Sequence, residues 1–320
     1  MMTDLLYLAS GMVLLIAGAE FLVRGAAAIA LKLGISALVV GLTIVAFGTS
    51  SPELVVSAKA AWNGDSDIAL GTVIGSNICN ILLILGISCL IRPIHIHRQV
   101  LKVDLPIMIV VSVALALILL TGGISRIFGA LLFLGVISYT IFTLKMSKKT
   151  ALADEGISED DIADIPEVPT KTWLLILFIV IGPLMLSYGS DLMLKGAVSI
   201  ASRFGVSNAV IALTIVALGG SLPELATSVA ASIRKKSDIV VGNVVGSNIF
   251  NILSVLGISA MVKPLTFAQT PGSVGWVDVG VMLVVAVASL LFMRNGFILK
   301  RWEGALMLVG YTAYVLYLVV

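Results

Sequence analysis

Charged side chains are scarce in this chain of 320 residues, where Asp, Glu, Lys and Arg make up 12% and hydrophobic residues 59%. Soluble domains carry roughly one quarter charged residues, so the composition argues against a soluble protein. The formal net charge is only +2, and the basic residues are scattered between apolar segments, so nucleic acid is not an expected partner. The mean hydropathy of +1.13 instead places the chain in a lipid bilayer.

Cysteine and histidine are also rare, with two residues of each. Cys79 and Cys89 lie within one apolar run, which fits buried thiols better than a disulfide framework or a zinc site. His95 and His97 follow Pro93 in a predicted cytoplasmic loop, where solvated side chains are expected rather than a proton sensor. Phosphate, nucleotide and cofactor motifs are missing, so we expect no cofactor and no energy source beyond an ion gradient.

Long apolar runs make up most of the chain, and there are ten of them, each about as long as a transmembrane helix. The runs cover residues 5–30, 37–61, 69–91, 104–121, 126–144, 173–200, 208–231, 240–261, 277–293 and 302–320. Five runs precede and five follow a polar stretch that is rich in Asp and Glu and contains two prolines. The sequence therefore predicts an all-α membrane protein with ten transmembrane helices.

The two halves of the chain are copies of one unit. A shift of 171 positions brings residues 36–93 onto residues 207–264 without a gap, and about 31 of these positions are identical. We divide the chain into a first five-helix repeat (1–144), an acidic linker (145–171) and a second five-helix repeat (172–320). Because five is odd, the second copy enters the membrane from the opposite side, which predicts inverted repeats.

The loop charges test this topology independently, because Lys and Arg accumulate in short cytoplasmic loops. With the N-terminus outside, about 15 of the 20 basic residues lie in cytoplasmic loops. We therefore predict a multi-pass protein of the cell membrane with both termini outside. The acidic linker is expected to be a solvated cytoplasmic loop.

The first polar segment of each repeat contains a proline followed by a glutamate. Residues 46–53 read AFGTSSPE, and residues 217–224 read ALGGSLPE. Proline has no amide hydrogen, so Pro52 leaves the carbonyl of Gly48 without its helical donor, and Pro223 does the same to Gly219. We expect these free carbonyl oxygens to face the protein interior.

The glutamates of these segments indicate a cation site. Burying an acidic side chain in a membrane costs at least about 2.5 kcal/mol, so Glu53 and Glu224, at equivalent repeat positions, point to function rather than structure. Ser50 lies three residues before Glu53 and shares its helix face. Hydroxyl, carboxylate and carbonyl oxygens are hard ligands that suit sodium or calcium.

The second polar segment of each repeat reads GTVIGSNICN (71–80) and GNVVGSNIFN (242–251). Glycines four apart permit close approach of membrane helices, and packing is at least as common a role for such pairs as function. Ser76 with Asn80, and Ser247 with Asn251, share helix faces at the i, i+4 spacing. Their oxygens would complete a cation cage.

Four other acidic residues are not predicted to be cation ligands. Two of them have two possible roles, and two have a structural role. Glu20 and Asp191 could line an access path, or pair with Arg24 and Lys195 one turn away. Asp67 and Asp238 precede predicted helices, where a carboxylate favours the helix dipole.

The doubled GTSSPE/GGSLPE and GSNICN/GSNIFN segments resemble the alpha-repeats of the calcium/cation antiporter superfamily, the sodium/calcium exchangers and their prokaryotic relatives. The resemblance covers essentially the whole chain. It implies a four-helix core of predicted helices 2, 3, 7 and 8, across which the long helices 1 and 6 slide to alternate access. It also implies electrogenic exchange of several sodium ions for one calcium ion.

The resemblance implies a set of cation ligands as well. In the first half these are Ala46, Thr49, Ser50, Glu53, Ser76 and Asn80, and in the second Ala217, Gly220, Ser221, Glu224, Ser247 and Asn251. Backbone carbonyls would serve at Ala46, Thr49, Ala217 and Gly220. Gly220 stands where the motif often has threonine, and Asn251 where potassium-dependent exchangers place an aspartate, which argues against potassium dependence.

The sequence thus predicts a sodium/calcium antiporter, not an enzyme, in which one glutamate from each repeat holds calcium at the midplane. The predicted partners are calcium, sodium and the lipid bilayer; the oligomeric state stays open, with a monomer sufficient for transport. A proton-coupled exchanger is the alternative. An intramembrane serine hydrolase using Ser50, Ser76, Ser221 or Ser247 is disfavoured, because no histidine or lysine lies in the core helices to act as a base.

Overall fold

The computed structural model describes residues 2–151, 172–204, 217–267 and 274–319. Most of the predicted linker and the first part of the predicted run 208–231 lie outside the described residues, so those predictions are not tested there.

The described chain is almost entirely helical, because a backbone inside a bilayer has no water to bond and satisfies its polar groups within each helix. The helices are α1 (Met2–Leu33), α2 (Ala37–Thr49), α3 (Ser51–Asn63), α4 (Ser66–Ile91), α5 (Val100–Leu119), α6 (Arg126–Ala151), α7 (Thr172–Arg203), α8 (Ala217–Gly220), α9 (Leu222–Ile233), α10 (Ser237–Val262), α11 (Trp276–Arg294) and α12 (Arg301–Val319). The all-α prediction is confirmed. Among the described residues, seven helices are long and apolar enough to cross a membrane, or eight if the bent pair α2 and α3 is one span.

Several helices widen for one turn into π-helix, at Gly41–Val45, Asn80–Leu85, Val100–Asp104 and Asn251–Leu256. The segments in α4 and α10 begin at Asn80 and Asn251, which are equivalent positions in the two repeats. Such π turns are rare and often mark functional sites. Apolar periodicity did not reveal them, because one wider turn leaves the overall pattern of a helix unchanged.

The two longest helices, α1 and α7, pack antiparallel against each other along rows of glycines seven residues apart. A Cβ on Gly11 would lie 2.7 Å from the carbonyl oxygen of Gly189, and a Cβ on Gly18 would lie 2.9 Å from that of Gly182. Arg203, at the end of α7, forms a salt bridge of 3.2 Å with Asp4, at the start of α1. The glycines therefore bring the two backbones into contact, and α1 and α7 form one paired unit.

Two short antiparallel ladders join the halves of the chain at their loops. Strand β1 (Ile94–His95) pairs with β4 (Ile298–Leu299), and β2 (Gly123–Ile124) pairs with β3 (Leu265–Thr266). The predicted loop at His95 is therefore partly a strand, although both histidines are exposed as expected. Cys79 and Cys89 are free and buried, which confirms the sequence prediction.

Helix α10 lies at the centre of the molecule. Every residue from 239 to 257 is buried. Its Gly242 and Gly246 pack against α2, where a Cβ on either glycine would lie 2.8 Å from a backbone oxygen of Leu38 or Leu42. The expected close approach is thus observed for the glycine pair of the second repeat.

Candidate cation site

The helix breaks at the two proline motifs have the same geometry. Ser50, between α2 and α3, has φ −83° and ψ 2°, and Ser221, between α8 and α9, has φ −89° and ψ 7°. Pro52 and Pro223 each lie in the first turn of the following helix, where a missing amide hydrogen costs nothing. The axes of α2 and α3 differ by 46° at this break. Each proline thus ends one helix and starts another beside the site.

The carbonyl of Gly219 is not free, which differs from the sequence expectation. The hydroxyl of Ser190, on α7, donates to it at 2.5 Å. The position equivalent to Ser190 on α1 is Ala19, which has no hydroxyl to offer Gly48. Because the donor comes from another helix, the sequence near Pro223 carried no signal for it.

The two glutamates lie in the interior, Glu53 with 1% and Glu224 with 0% of its surface exposed. The hydroxyl of Ser50 donates to Oε1 of Glu224 at 3.1 Å. Among the described residues, the other three carboxylate oxygens of the pair have no hydrogen-bond partner. Buried carboxylate oxygens without donors are costly unless a cation satisfies them.

A hydroxyl and amide cluster lies beside Glu224. Oγ1 of Thr49 donates to Oδ1 of Asn243 at 3.1 Å and lies 3.5 Å from Oγ of Ser247. Nδ2 of Asn243 in turn donates to Oγ of Ser228 at 3.0 Å and to the carbonyl of Glu224 at 3.3 Å. Asn243 was missed by the sequence reasoning because its repeat equivalent, Thr72, is a different residue type.

The predicted ligands of the GSN segments also meet across the repeats. Oγ of Ser221 donates to Oγ of Ser76 at 3.4 Å, and Nδ2 of Asn251 donates to the same Ser76 oxygen at 3.2 Å. Nδ2 of Asn80 donates to Oδ1 of Asn248 at 2.9 Å. Both amide nitrogens are thus used, whereas Oδ1 of Asn80 and Oδ1 of Asn251 have no partner among the described residues. These two oxygens are the ones available to a ligand.

Asn77 and Asn248 hold the two core helices together by reciprocal bonds. Nδ2 of Asn77 donates to the carbonyl of Asn248 at 3.3 Å, and Nδ2 of Asn248 donates to the carbonyl of Asn77 at 3.2 Å. The sequence signal was the asparagine repeated after each GS pair, although its structural role was not predicted.

The remaining predicted ligands, Ala46, Gly220 and Ala217, have no side-chain oxygen and were expected to contribute backbone carbonyls. The Ala46 carbonyl accepts from the Ser50 amide at 3.0 Å and lies 3.3 Å from Oγ1 of Thr49. Gly220 leaves space beside Glu53, since a Cβ there would lie 3.9 Å from Oε1. Ala217 begins α8, and its side chain lies outside the described residues.

A cavity of about 570 Å³ connects this region to one face of the molecule. Glu53, Ser76 and Ser221 line its inner part, and Ile68 and Asp191 are among its other lining residues. Ile239, the repeat equivalent of Ile68, is fully buried. The site is therefore open along the first half of α4 and closed along the first half of α10.

Within the part of the chain that the structure describes, no group of three or more His, Cys, Asp and Glu side chains is placed to hold a metal ion. Any cation bound here would be held by the two glutamates together with neutral oxygens from serine, threonine, asparagine and the backbone.

A model of the family described as sodium/calcium exchanger protein matches residues 3–145 and 173–320. The chain belongs to the sodium/calcium exchanger family. It is 39% identical to the putative antiporter CaxA of Alkalimonas amylolytica and 30% identical to the sodium/calcium exchanger MaX1 of Methanosarcina acetivorans, over 98% of both chains in each case. It also matches a structure of the sodium–calcium exchanger NCX_Mj, soaked with Na⁺ and Sr²⁺, with a TM-score of 0.83, 30% identity and 98% of each chain covered.

Membership in this family establishes the chain as a multi-pass membrane protein and a cation antiporter of the calcium-transporting type. The resemblance to sodium/calcium exchangers that the GTSSPE/GGSLPE and GSNICN/GSNIFN segments indicated is confirmed. The family is one of transporters rather than enzymes.

Proposed function

We propose that the chain exchanges sodium for calcium, with one calcium ion held between Glu53 and Glu224. The observation that carries this proposal is the pair of buried carboxylates, of whose four oxygens only one accepts a hydrogen bond from the described residues. Two negative charges balance one divalent cation, so the loaded site is neutral and tolerable in a membrane, whereas the empty site is not. This difference discourages movement of the empty carrier.

The shell of the calcium ion would be completed by neutral oxygens, since calcium takes six to eight oxygen ligands. The unpartnered Oδ1 atoms of Asn80 and Asn251 are the first candidates, because their amide nitrogens are already bonded. The other proposed ligands are Ala46, Thr49, Ser50, Ser76, Ala217, Gly220, Ser221 and Ser247. Sodium ions would compete for the same oxygens, which couples the two fluxes.

We further propose ten membrane spans in two inverted repeats, with both termini outside and residues 145–171 in the cytoplasm. The antiparallel packing of α1 against α7 supports inversion. The strand ladders support the loop assignment, because β1 and β4 join two loops that the basic residues place inside, and β2 and β3 join two placed outside. The open cavity would then face outward.

The names of the relatives support sodium and calcium as the exchanged ions: MaX1 is named a sodium/calcium exchanger, and NCX_Mj was soaked with sodium and strontium. The alternative to sodium coupling is that protons drive the exchange of calcium.

The test is uptake of radioactive calcium into proteoliposomes loaded with sodium and diluted into sodium-free buffer. We expect uptake that disappears when internal sodium is replaced by potassium or choline, and that disappears in Glu53→Gln and Glu224→Gln. Uptake that requires an imposed pH gradient instead would establish proton coupling. Normal uptake in both glutamine variants would show that calcium is held elsewhere.

A further inference from the structure

An ion pair joins the α1/α7 unit to the core of the molecule. The guanidinium of Arg234, directly after α9, donates from Nε to Oε2 of Glu20 at 2.8 Å and from Nη2 to Oε1 of the same carboxylate. Arg24, one turn further along α1, also donates to Glu20. The contact between Arg234 and Glu20 therefore bridges two helices, whereas the contact of Arg24 lies within one.

Apart from Arg24, the residues around this pair in the cleft are apolar. Glu20 and Arg234 are the only charged residues among those lining the cleft between α1 and α9, whose other lining residues are Ile16, Ala19, Ala226, Val229, Ala230 and Ile233. Each of the two charged side chains is 25% exposed. A two-point contact between arginine and carboxylate in such a setting is stronger than an exposed ion pair, although solvent still screens part of it.

The repeat equivalents of the pair differ in sequence and in contacts. The shift of 171 positions relates Glu20 to Asp191 and Arg234 to Asn63. Asp191 is exposed and lines the open cavity. It forms no ion pair within the described residues. Asn63 is an exposed, uncharged residue at the end of α3. The ion pair is thus present on the closed face and has no counterpart on the open one.

We propose that Glu20 and Arg234 are positioning residues of the transport cycle, whose ion pair holds α1 against α9 and keeps the site closed on their face. The inference rests on the proposed antiport function, because an antiporter opens its site to each face in turn. Opening this face separates α1 from α9 and breaks the pair. In the opposite state the residue at the position equivalent to Arg234 is the neutral Asn63, so Asp191 would gain no ion pair across the two helices. The pair between Glu20 and Arg234 therefore favours the state that the structure shows.

The experiment measures how fast a thiol reacts on each face of the protein. The reporter positions are Ile68, 53% exposed and lining the cavity, and its equivalent Ile239, with 0% exposed. Each is replaced by cysteine in a Cys79→Ala, Cys89→Ala background, and the detergent-solubilised protein reacts with a small charged methanethiosulfonate. We expect fast labelling at position 68 and slow labelling at position 239.

Glu20→Gln and Arg234→Gln are expected to raise the labelling rate at position 239 roughly three- to tenfold, as the loss of one charge-assisted contact shifts the balance of states. Asn63→Arg is expected to raise it as well, because the new cation would pair with Asp191 in the opposite state. Asn63→Gln, which adds no charge, is the matched control. Arg234→Lys keeps the charge and should preserve slow labelling.

Arg24→Gln distinguishes an ion pair that joins two helices from an effect of charge within α1. We expect it to change the labelling rate at position 239 less than twofold. An equal rise in Arg24→Gln and Arg234→Gln, or no rise in both Glu20→Gln and Arg234→Gln, would overturn the proposal. Unfolding would speed labelling at both positions, whereas opening of the closed face raises the rate at 239 without raising it at 68. Thiol labelling does not require transport of an ion. Failure of calcium uptake in proteoliposomes and failure of the labelling prediction are therefore separate results.

Discussion

Replacing Glu53 by glutamine should affect stability in opposite directions with and without calcium. Glu53 is 1% exposed and neither of its carboxylate oxygens has a partner among the described residues. In ion-free buffer, the amide removes the cost of burying a charge, which is about 2.5–3.5 kcal/mol for an acidic residue at the centre of a membrane helix. We therefore expect Glu53→Gln to be at least as stable as the unmodified chain in ion-free buffer.

With calcium the order should reverse. A ligand at one hundred times its dissociation constant stabilises the folded state by about 2.7 kcal/mol. With an unfolding entropy of about 2.1 cal/mol/K per residue, this corresponds to a rise in Tm of roughly 4 °C for a chain of this length. The unmodified chain should show this rise, and Glu53→Gln should not.

The assay is thermal unfolding of the purified protein in detergent, with and without calcium, in sodium-free buffer. Glu303→Gln is the matched control, because Glu303 is equally buried but lies outside the site, where its Oε2 accepts from the Lys300 amide at 2.6 Å. It should keep the full calcium-dependent rise. A calcium-dependent rise that survives in Glu53→Gln would refute the assignment of this carboxylate as a ligand.

Three further substitutions test the packing and the neutral oxygens of the site. Gly246→Ala should lower the free energy of unfolding by about 1–3 kcal/mol, because its Cβ would lie 2.8 Å from α2. Gly75→Ala, whose Cβ would have nothing within 4 Å, should lower it less, and urea or thermal unfolding compares the two variants. Gly220→Thr should lower the half-saturating sodium concentration for calcium uptake roughly three- to tenfold, since it adds a hydroxyl beside Glu53, and Gly220→Ala should not. Ser190→Ala should cost about 1–3 kcal/mol in the same unfolding assay by leaving a buried carbonyl without a donor; an unchanged stability would contradict that role.

Much of the fold followed from local sequence properties. Eight of the ten apolar runs each coincide with one described helix, because a bilayer allows few other ways to satisfy a backbone. The run 37–61 is divided between α2 and α3, and the run 208–231 is described only from residue 217. Pro52 was predicted to take the helical donor from Gly48, but the run 37–61 was expected to be one helix with Ser50 and Glu53 on one face. The structure instead ends α2 at Thr49 and begins α3 at Ser51, so Ser50 lies between two helices. The π turns at Asn80 and Asn251 did not follow, since their hydrogen-bond pattern depends on contacts with neighbouring helices.

The residues of the candidate site also fall into those that the sequence predicted and those that it did not. Glu53, Glu224, Ser50 and Ser76 were predicted from residue type and repeated position, and the structure places them in one interior region. The link from Ser190 to Gly219 was not predicted, because its donor comes from a different helix.

Asp191 and Glu20 show most clearly where local reasoning stopped. Two alternatives, an access path or an ion pair, stood equally for both residues. In the structure the two residues differ. Asp191 lines the open cavity, whereas Glu20 forms ion pairs with Arg24 and Arg234. Equivalent positions in the two repeats have different surroundings because, in the part of the chain that the structure describes, the cavity that reaches Glu53 is lined by Asp191 and not by Glu20.

The sequence by itself determined the membrane setting, the helical architecture, the repeat and the residue types of the candidate ligands, because these depend on composition, periodicity and local chemistry. Only the tertiary structure decided which oxygens lack donors, which face of the molecule is open, and that Glu20 reaches Arg234 across two helices. Those features depend on distances between helices far apart in the chain, which no local pattern of residues encodes.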